Sequence, residues 1–233
     1  MNTWLTPGEW SVVALSLRVS VAAVALTLPL AYALAWLLAR RRFPGRLLLD
    51  ALVHMPLVLP PVVTGWMLLL LFGRNGPIGA WLDANFGLTL VFHWTGAALA
   101  AAVMALPLMV RAMRLSIEAV DRRLVDAART LGARPGRAFL TITLPLSAPG
   151  IAAGAMLGFA RSLGEFGATI TFASNIAGQT RTLPLAIYTG LQLPGGEALV
   201  TRLSIVSVIL SVAALVVSEL LVRRSGGSRA HVL

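Results

Sequence analysis

The stretch Asp126-Ala127-Ala128-Arg129-Thr130-Leu131-Gly132, continued by Ile142, Leu144 and Pro145, decides how the chain is read. It is a small charged island in a sequence that is otherwise nearly all apolar. Ile117, Val120, Leu124, Ala128 and Leu131 recur at helical spacing, which predicts one helix from Leu115 to Leu131 carrying a single apolar stripe. Glu118, Arg122 and Asp126 fall one turn apart on another face, where opposite charges are expected to pair. Gly132 ends the helix, because glycine accepts the left-handed conformation that a helix terminus often requires. Pro135 suits the first turn of a second short helix, having no N–H to leave unpaired. Helix, tight turn and helix between two hydrophobic spans make a shape that fits a groove on a soluble partner. The plainer alternative is an amphipathic loop helix lying on the membrane surface.

Composition sets the frame around this island. Hydrophobic residues make up 58% of the chain and charged ones 12%, which places it among membrane proteins. There is no cysteine, so neither a disulfide framework nor a thiolate metal site is expected. The formal charge of +10 comes from arginine alone, since the sequence contains no lysine. A basic balance often signals nucleic acid, but here the arginines flank hydrophobic runs, which is the pattern of membrane topology. Met1 to Trp10 carries no basic residue, so a secretory signal peptide is not expected there.

Five spans are expected, over about 12–39, 47–72, 90–110, 149–172 and 203–222, each long enough for a bilayer that needs about 20 helical residues. Arg18 interrupts the first near its outer end, where its side chain is expected to snorkel to the interface. Arg40, Arg41, Arg42 and Arg46 follow the first span, Arg111 and Arg114 the third, and Arg223, Arg224 and Arg229 the last. Arg122, Arg123, Arg129, Arg134 and Arg137 lie in the island itself. These clusters fall on one side at every crossing, which puts the N-terminus outside, the C-terminus inside and the loop 111–148 in the cytoplasm. The fold expected is therefore an all-α, polytopic membrane helix bundle, a single domain over 1–233, with a cytoplasmic coupling helix-turn-helix.

Several features call for local readings. Pro56, Pro60 and Pro61 predict a kink that lets the second span wrap a bundle, which is favoured over a pathway wall faced by Thr64 and Gly65. His54 reads as a packed residue, with no ligand spacing around it, and His93 is given no role. Residues 73–89 read as an outer loop, with Trp81 and Trp94 as interface anchors. Gly150, Gly154 and Gly158 are spaced for close helix approach, either within the chain or across a dimer. Arg161 and Glu165 sit one helical turn apart inside a span and are expected to pair. Ionisable groups there favour a water-lined pathway over a purely structural ion pair. Residues 182–193 are apolar but too short to span, so re-entering the membrane and lying along it both stay open. The tail from Ser225 is expected to be disordered.

The order acidic-Ala-Ala, Gly132, Ile142 and Leu144-Pro145 resembles the cytoplasmic coupling motif of ABC importer permeases, with Asp126 where that family usually has Glu. Phe43-Pro44-Gly45, His54 to Val63, Arg129 to Gly132 and Ala160 to Thr169 resemble the permease subunits of molybdate importers, and the Ser162-Leu163-Gly164-Glu165-Phe166-Gly167 stretch is shared mainly by the molybdate, tungstate and sulfate branch. The resemblance covers nearly the whole chain after its first ten residues. It implies a transporter subunit of the bacterial inner membrane, working as a homodimer with two cytoplasmic ABC ATPase subunits and a periplasmic oxyanion-binding protein. ATPase coupling is expected at Glu118, Asp121, Asp126, Ala127, Ala128, Arg129, Gly132, Ala133, Ile142, Leu144 and Pro145, with the motif positions among them carried by the resemblance. The substrate pathway is expected near Arg161, Ser162, Gly164, Glu165, Phe166, Gly167 and Thr169, from the intramembrane charges and hydroxyls there. No catalytic residue, no metal and no cofactor are expected in the chain itself. It has no phosphate-binding loop, so ATP and Mg belong to the partner. The rivals are a sulfate or tungstate permease of the same branch and, in a different class, a membrane assembly protein that only dimerises. A membrane protease is disfavoured, since the three histidines are scattered singly.

The absence of native cysteine makes the orientation directly measurable. Thr130→Cys is expected to react with a membrane-impermeant maleimide only from the cytoplasmic side, and Asn75→Cys only from the outer side. Reversed accessibility would overturn the topology.

Overall fold

The computed structural model describes residues 4–226, which form eleven α-helices and one π-helical turn. Helix α1 spans Pro7–Arg40. Thr6 starts it with a reciprocal cap: its side chain accepts from the Glu9 N–H at 3.3 Å, and Glu9 accepts from the Thr6 N–H at 2.7 Å. Helix α5 spans Trp94–Glu118 and lies against α1 along its whole length. Val19 and Ala23 pack on Ala97, Ala98, Ala101 and Ala102 near the starts of the two helices. Ala31, Ala35 and Leu38 pack on Ala105, Met109, Met113 and Ile117 near their ends. The two helices therefore run in the same direction, and the alanines let their backbones approach closely. Parallel spans must be joined by a return crossing, so residues 41–93 carry the chain back through the membrane.

The proline-rich segment expected as one kinked span over 47–72 is broken into two helices. Helix α2 (Arg46–Val58) and helix α3 (Pro61–Phe72) meet at a bend of 117°. Pro60 and Pro61 explain it: neither has an N–H for the helical ladder, and Pro61 opens α3 at its first position. The expected outer loop 73–89 contains helix α4, Pro77–Phe86, begun by Pro77 and stopped by Gly87 at φ 62°. The third span is displaced from 90–110 to Trp94–Glu118.

The largest departure is in the island. No continuous helix joins Leu115 to Leu131: α5 stops at Glu118 and helix α6 covers Arg122–Thr130. Arg40 Nη2 donates to the Ile117 and Val120 carbonyls at 2.9 Å each, and the Val120 N–H turns back to the Ile117 carbonyl at 3.3 Å, a tightened end to α5. Asp121 then caps α6, accepting from the Arg123 N–H at 2.9 Å. The expected stripe is split accordingly. Ile117 and Val120 are buried, whereas Leu124 and Leu131 are exposed. Glu118 pairs with Arg114 at 2.9 Å rather than with Arg122.

The fourth span starts earlier and ends sooner than 149–172. Helix α7 (Pro135–Ala138) passes through the π turn Phe139–Thr143 into helix α8 (Leu144–Leu163), and helix α9 (Gly167–Phe172) follows after a break. Gly150, Gly154 and Gly158 face Ser116, Met113 and Met109 of α5, so α8 is antiparallel to α5 and the small-residue face is used within the chain. Helix α10 (Leu183–Leu191) fills the segment left open at 182–193. Leu183 and Leu185 are buried, and the Leu183 N–H donates to Ser16 Oγ at 2.7 Å, which wedges α10 between the N-terminal parts of α1 and α11. Helix α11 runs Glu197–Gly226 and includes Ser225, placed in the expected tail; Arg229 and the rest of that tail lie outside the described residues. Arg202 donates to Glu9 Oε1 through Nε at 2.9 Å and Nη2 at 2.6 Å, tying the start of α11 to the start of α1. Among the described residues four helices are long and apolar enough to cross, or five spans if the bent α2–α3 pair counts as one. Arg18 stacks over the Trp94 ring at 3.8 Å.

Gly65 and Gly158 separate rigid from yielding contacts. A Cβ on Gly65 would lie 2.7 Å from the Ala168 carbonyl oxygen, whereas one on Gly158 would meet the flexible Met109 side chain at 2.5 Å. Gly65→Ala is expected to lower unfolding stability in detergent by about 1–3 kcal/mol, and Gly158→Ala by clearly less. Equal losses would contradict this packing.

Candidate functional site

The broken stretch after α8 is built from its own side chains. Helix α8 ends at Leu163, where the Gly164 N–H still reaches the Ala160 carbonyl at 3.3 Å. Glu165 is 2% exposed and holds the restart. Its Oε1 accepts from the Ala168 N–H at 2.8 Å, satisfying a donor at the start of α9. Its Oε2 faces Arg161 Nη1 at 2.5 Å, an ion pair set off the line of an ideal hydrogen bond. Gly167 lies where α9 meets the other broken span: a Cβ there would come 2.7 Å from Pro61 Cβ. Gly65 of α3 packs in the same way on Ala168 and Thr171. The two interruptions thus touch, and each covers the other's irregular backbone, as non-helical backbone at membrane depth requires.

Beside the α8 break lies a cleft of about 420 Å³ between α8, α10 and α11. Gly164, Phe166, Tyr188, Leu191, Ser207 and Ser211 are among its lining, and no charged side chain is. Phe166 and Tyr188 stack with centroids 5.1 Å apart. Ser207 and Ser211 donate to carbonyls one turn back at 2.9 and 2.8 Å, which leaves their oxygens able to accept. Of the residues assigned to the pathway from sequence, Gly164 and Phe166 open on this cleft. Ser162, Glu165 and Thr169 are buried, and Arg161 is partly exposed beside Glu165. Tyr188, Ser207 and Ser211 were missed. The four-residue spacing of the two serines on one face of the last span was the available signal.

At the other end of the bundle, α6 stands on the surface with none of its residues buried. Gly132, at φ 87°, closes it with a double bond pattern: the Ala133 N–H reaches the Ala128 carbonyl at 3.0 Å and the Gly132 N–H reaches the Arg129 carbonyl at 3.1 Å. Asp126, Ala127 and Arg129 are exposed, and Leu131 is 89% exposed. Ile142 lies in the π turn, while Leu144 and Pro145 open α8, so the second half of the motif sits at the base of a membrane span. Phe139 packs edge-on against Tyr32 and Trp36 of α1. Arg114 joins this region to α2, reaching Asp50 at 3.2 Å as well as Glu118.

Comparison with known proteins places this geometry. Residues 28–226 match the family described as binding-protein-dependent transport system inner membrane components. The chain is 58% identical over 221 residues to the molybdenum transport system permease protein ModB of Escherichia coli K12, covering 95% of this chain and 96% of that one. It is 56% identical to ModB of Haemophilus influenzae over 93% and 94% of the two chains. The sulfate transport system permease protein CysT of Escherichia coli K12 is 44% identical, over 68% of this chain and 57% of that one. Among solved structures, a bacterial ABC transporter that imports alginate superposes with a TM-score of 0.70 at 16% identity, over 98% of this chain and 82% of that one. An amino acid ABC transporter superposes with a TM-score of 0.64 at 20% identity.

Removing one member of the Arg161–Glu165 pair strands the other. Arg161→Met is expected to cost about 3–5 kcal/mol by leaving the buried carboxylate unpaired. The double variant Arg161→Met/Glu165→Gln, which keeps an amide oxygen for Ala168, recovers part of that loss in a thermal unfolding series. A double variant no better than the single would show that the pair carries no coupling.

Proposed function

The chain belongs to the family of inner membrane components of binding-protein-dependent transport systems, and on that premise we propose that it is the permease subunit through which molybdate crosses the inner membrane. The observation that carries the substrate is the 58% identity to a molybdenum permease along nearly the full length of both chains. The sulfate permease is similar over a smaller share, which makes sulfate the second reading and tungstate, of like charge and shape, a competitor. A protein that only dimerises has no use for two facing helix breaks and an exposed capped helix at the basic end.

The chain works as a transducer. Two copies pair, each docks one cytoplasmic ATPase through α6, and a periplasmic binding protein delivers the oxyanion at the opposite face. ATP and its Mg are bound by the ATPase. Closure of the ATPase pair pushes α6, and the helical body from Pro135 to Leu163 carries the displacement to the break at Gly164. The cleft by that break offers hydroxyls from Tyr188, Ser207 and Ser211 and backbone around Gly164. Weak contacts of this kind suit transit, because a trapping cation would hold a dianion too firmly to release it. Glu165 does not repel the anion, since Arg161 neutralises it.

Proteoliposomes holding the permease and its ATPase are expected to take up labelled molybdate only with ATP, tungstate competing and sulfate competing less. Gly132→Pro removes the bond to Arg129 and forbids the positive φ, so it is expected to abolish uptake while the permease stays in the membrane. Uptake at the native rate in that variant refutes the coupling role of α6. Uptake of sulfate with no molybdate competition refutes the substrate.

A further inference from the structure

The basic end of the bundle holds a second cavity, remote from the cleft between α8, α10 and α11. It measures about 570 Å³ and is lined by Arg40, Arg41, Arg42, Arg46, Glu118 and Arg122, with Ala39 behind them. Two of these charges are already engaged. Arg40 donates to the carbonyls of Ile117 and Val120, and Glu118 accepts from Arg114. Arg41 stands over the Trp36 ring at 5.7 Å. Among the described residues, Arg41, Arg42, Arg46 and Arg122 form no ion pair with a carboxylate. Four guanidinium groups without anionic partners therefore converge on one space, where they repel each other. Their planar forks match phosphate oxygens.

We propose that this cavity binds the phosphodiester headgroup of an anionic phospholipid. Topology requires basic residues on one face of the membrane, but it does not require them to ring a common cavity. The surroundings separate a lipid from a free phosphate. Helix α2 begins at Arg46, and its next residues turn apolar side chains outward: Leu47 is 84% exposed, Leu48 65% and Leu52 52%. A headgroup among the arginines thus has an apolar track for its acyl chains leading away from it, which a free ion would not use. Basic pockets between membrane helices hold anionic headgroups in this way. Arg41, Arg42 and Arg46 come from the α1–α2 junction and Arg122 from the first turn of α6. The bound lipid fastens the coupling helix to the junction of the first two helices, so its occupancy tunes how firmly α6 is held.

Native mass spectrometry of the full chain in detergent tests this without relying on transport. With phosphatidylglycerol and phosphatidylcholine offered together, one phosphatidylglycerol per chain is expected to be retained, and inorganic phosphate in large molar excess should leave it in place. Arg42→Gln/Arg122→Gln keeps Arg40, Arg41 and Arg46 for topology and is expected to weaken retention by about tenfold, the equivalent of about 1.4 kcal/mol. Leu47→Ser/Leu48→Ser is expected to weaken it as well. Equal retention of both lipids, displacement by inorganic phosphate alone, or unchanged retention in the arginine variant overturns the proposal. If that double variant does not reach the membrane, Arg46→Gln decides by the same readout, and unchanged retention there is equally fatal.

Discussion

A peptide group at membrane depth has no water to bond, so every interruption of a helix must be sealed by the protein itself. This constraint bears on two breaks in the chain, the bend inside the α2–α3 pair and the gap that follows α8. One interruption is made by Pro60 and Pro61, the other around Gly164 and Glu165, and the glycines at 65 and 167 allow them to be pressed together. Glu165 is what makes the second one tolerable. One of its oxygens takes an amide at the start of α9, and the other offsets Arg161. A costly buried carboxylate thereby becomes the means of building irregular backbone beside a cleft. The cleft is then bordered by main-chain groups around Gly164 that a regular helix would keep bonded.

The rest of the bundle holds those two breaks in register with the distant basic end. Parallel packing of α1 on α5 gives a rigid pair, with alanine at most of the close contacts. At its N-terminal end Glu9 and Arg202 bind α11 to it, and at its other end Arg40 holds the terminus of α5. The glycine face of α8 packs onto α5 of that pair. Under the coupling proposed for α6, a displacement entering there meets this frame on one side and, on the other, a helical body that ends at the break.

Much of this was legible in the residues alone. The apolar helical bundle, the gathering of Arg40 to Arg46 with Arg122 at one end, the Gly132 stop and the Arg161–Glu165 pair follow from periodicity, charge and spacing, which are local properties. What escaped was set by partners remote in sequence. At the break between Glu118 and Arg122 the Ile117 and Val120 carbonyls accept from Arg40, about eighty positions earlier. The α3 arm of the α2–α3 bend packs on α9, about a hundred positions later. The apolar segment 182–193 was visible but could not be placed, because its position rests on the bond from Leu183 to Ser16 of α1. Helix α4 was the avoidable miss, since Pro77 and Gly87 bracket it.

The π turn at Phe139–Thr143 has a mechanical meaning. A wider coil with one extra residue per loop joins α7 to α8 there, and Phe139 within it meets the rings of Tyr32 and Trp36 edge-on. Under the coupling proposed for α6, a thrust reaching this turn has aromatic rings on one flank and the shaft of α8 ahead of it, so the joint is placed to turn a linear stroke into a twist.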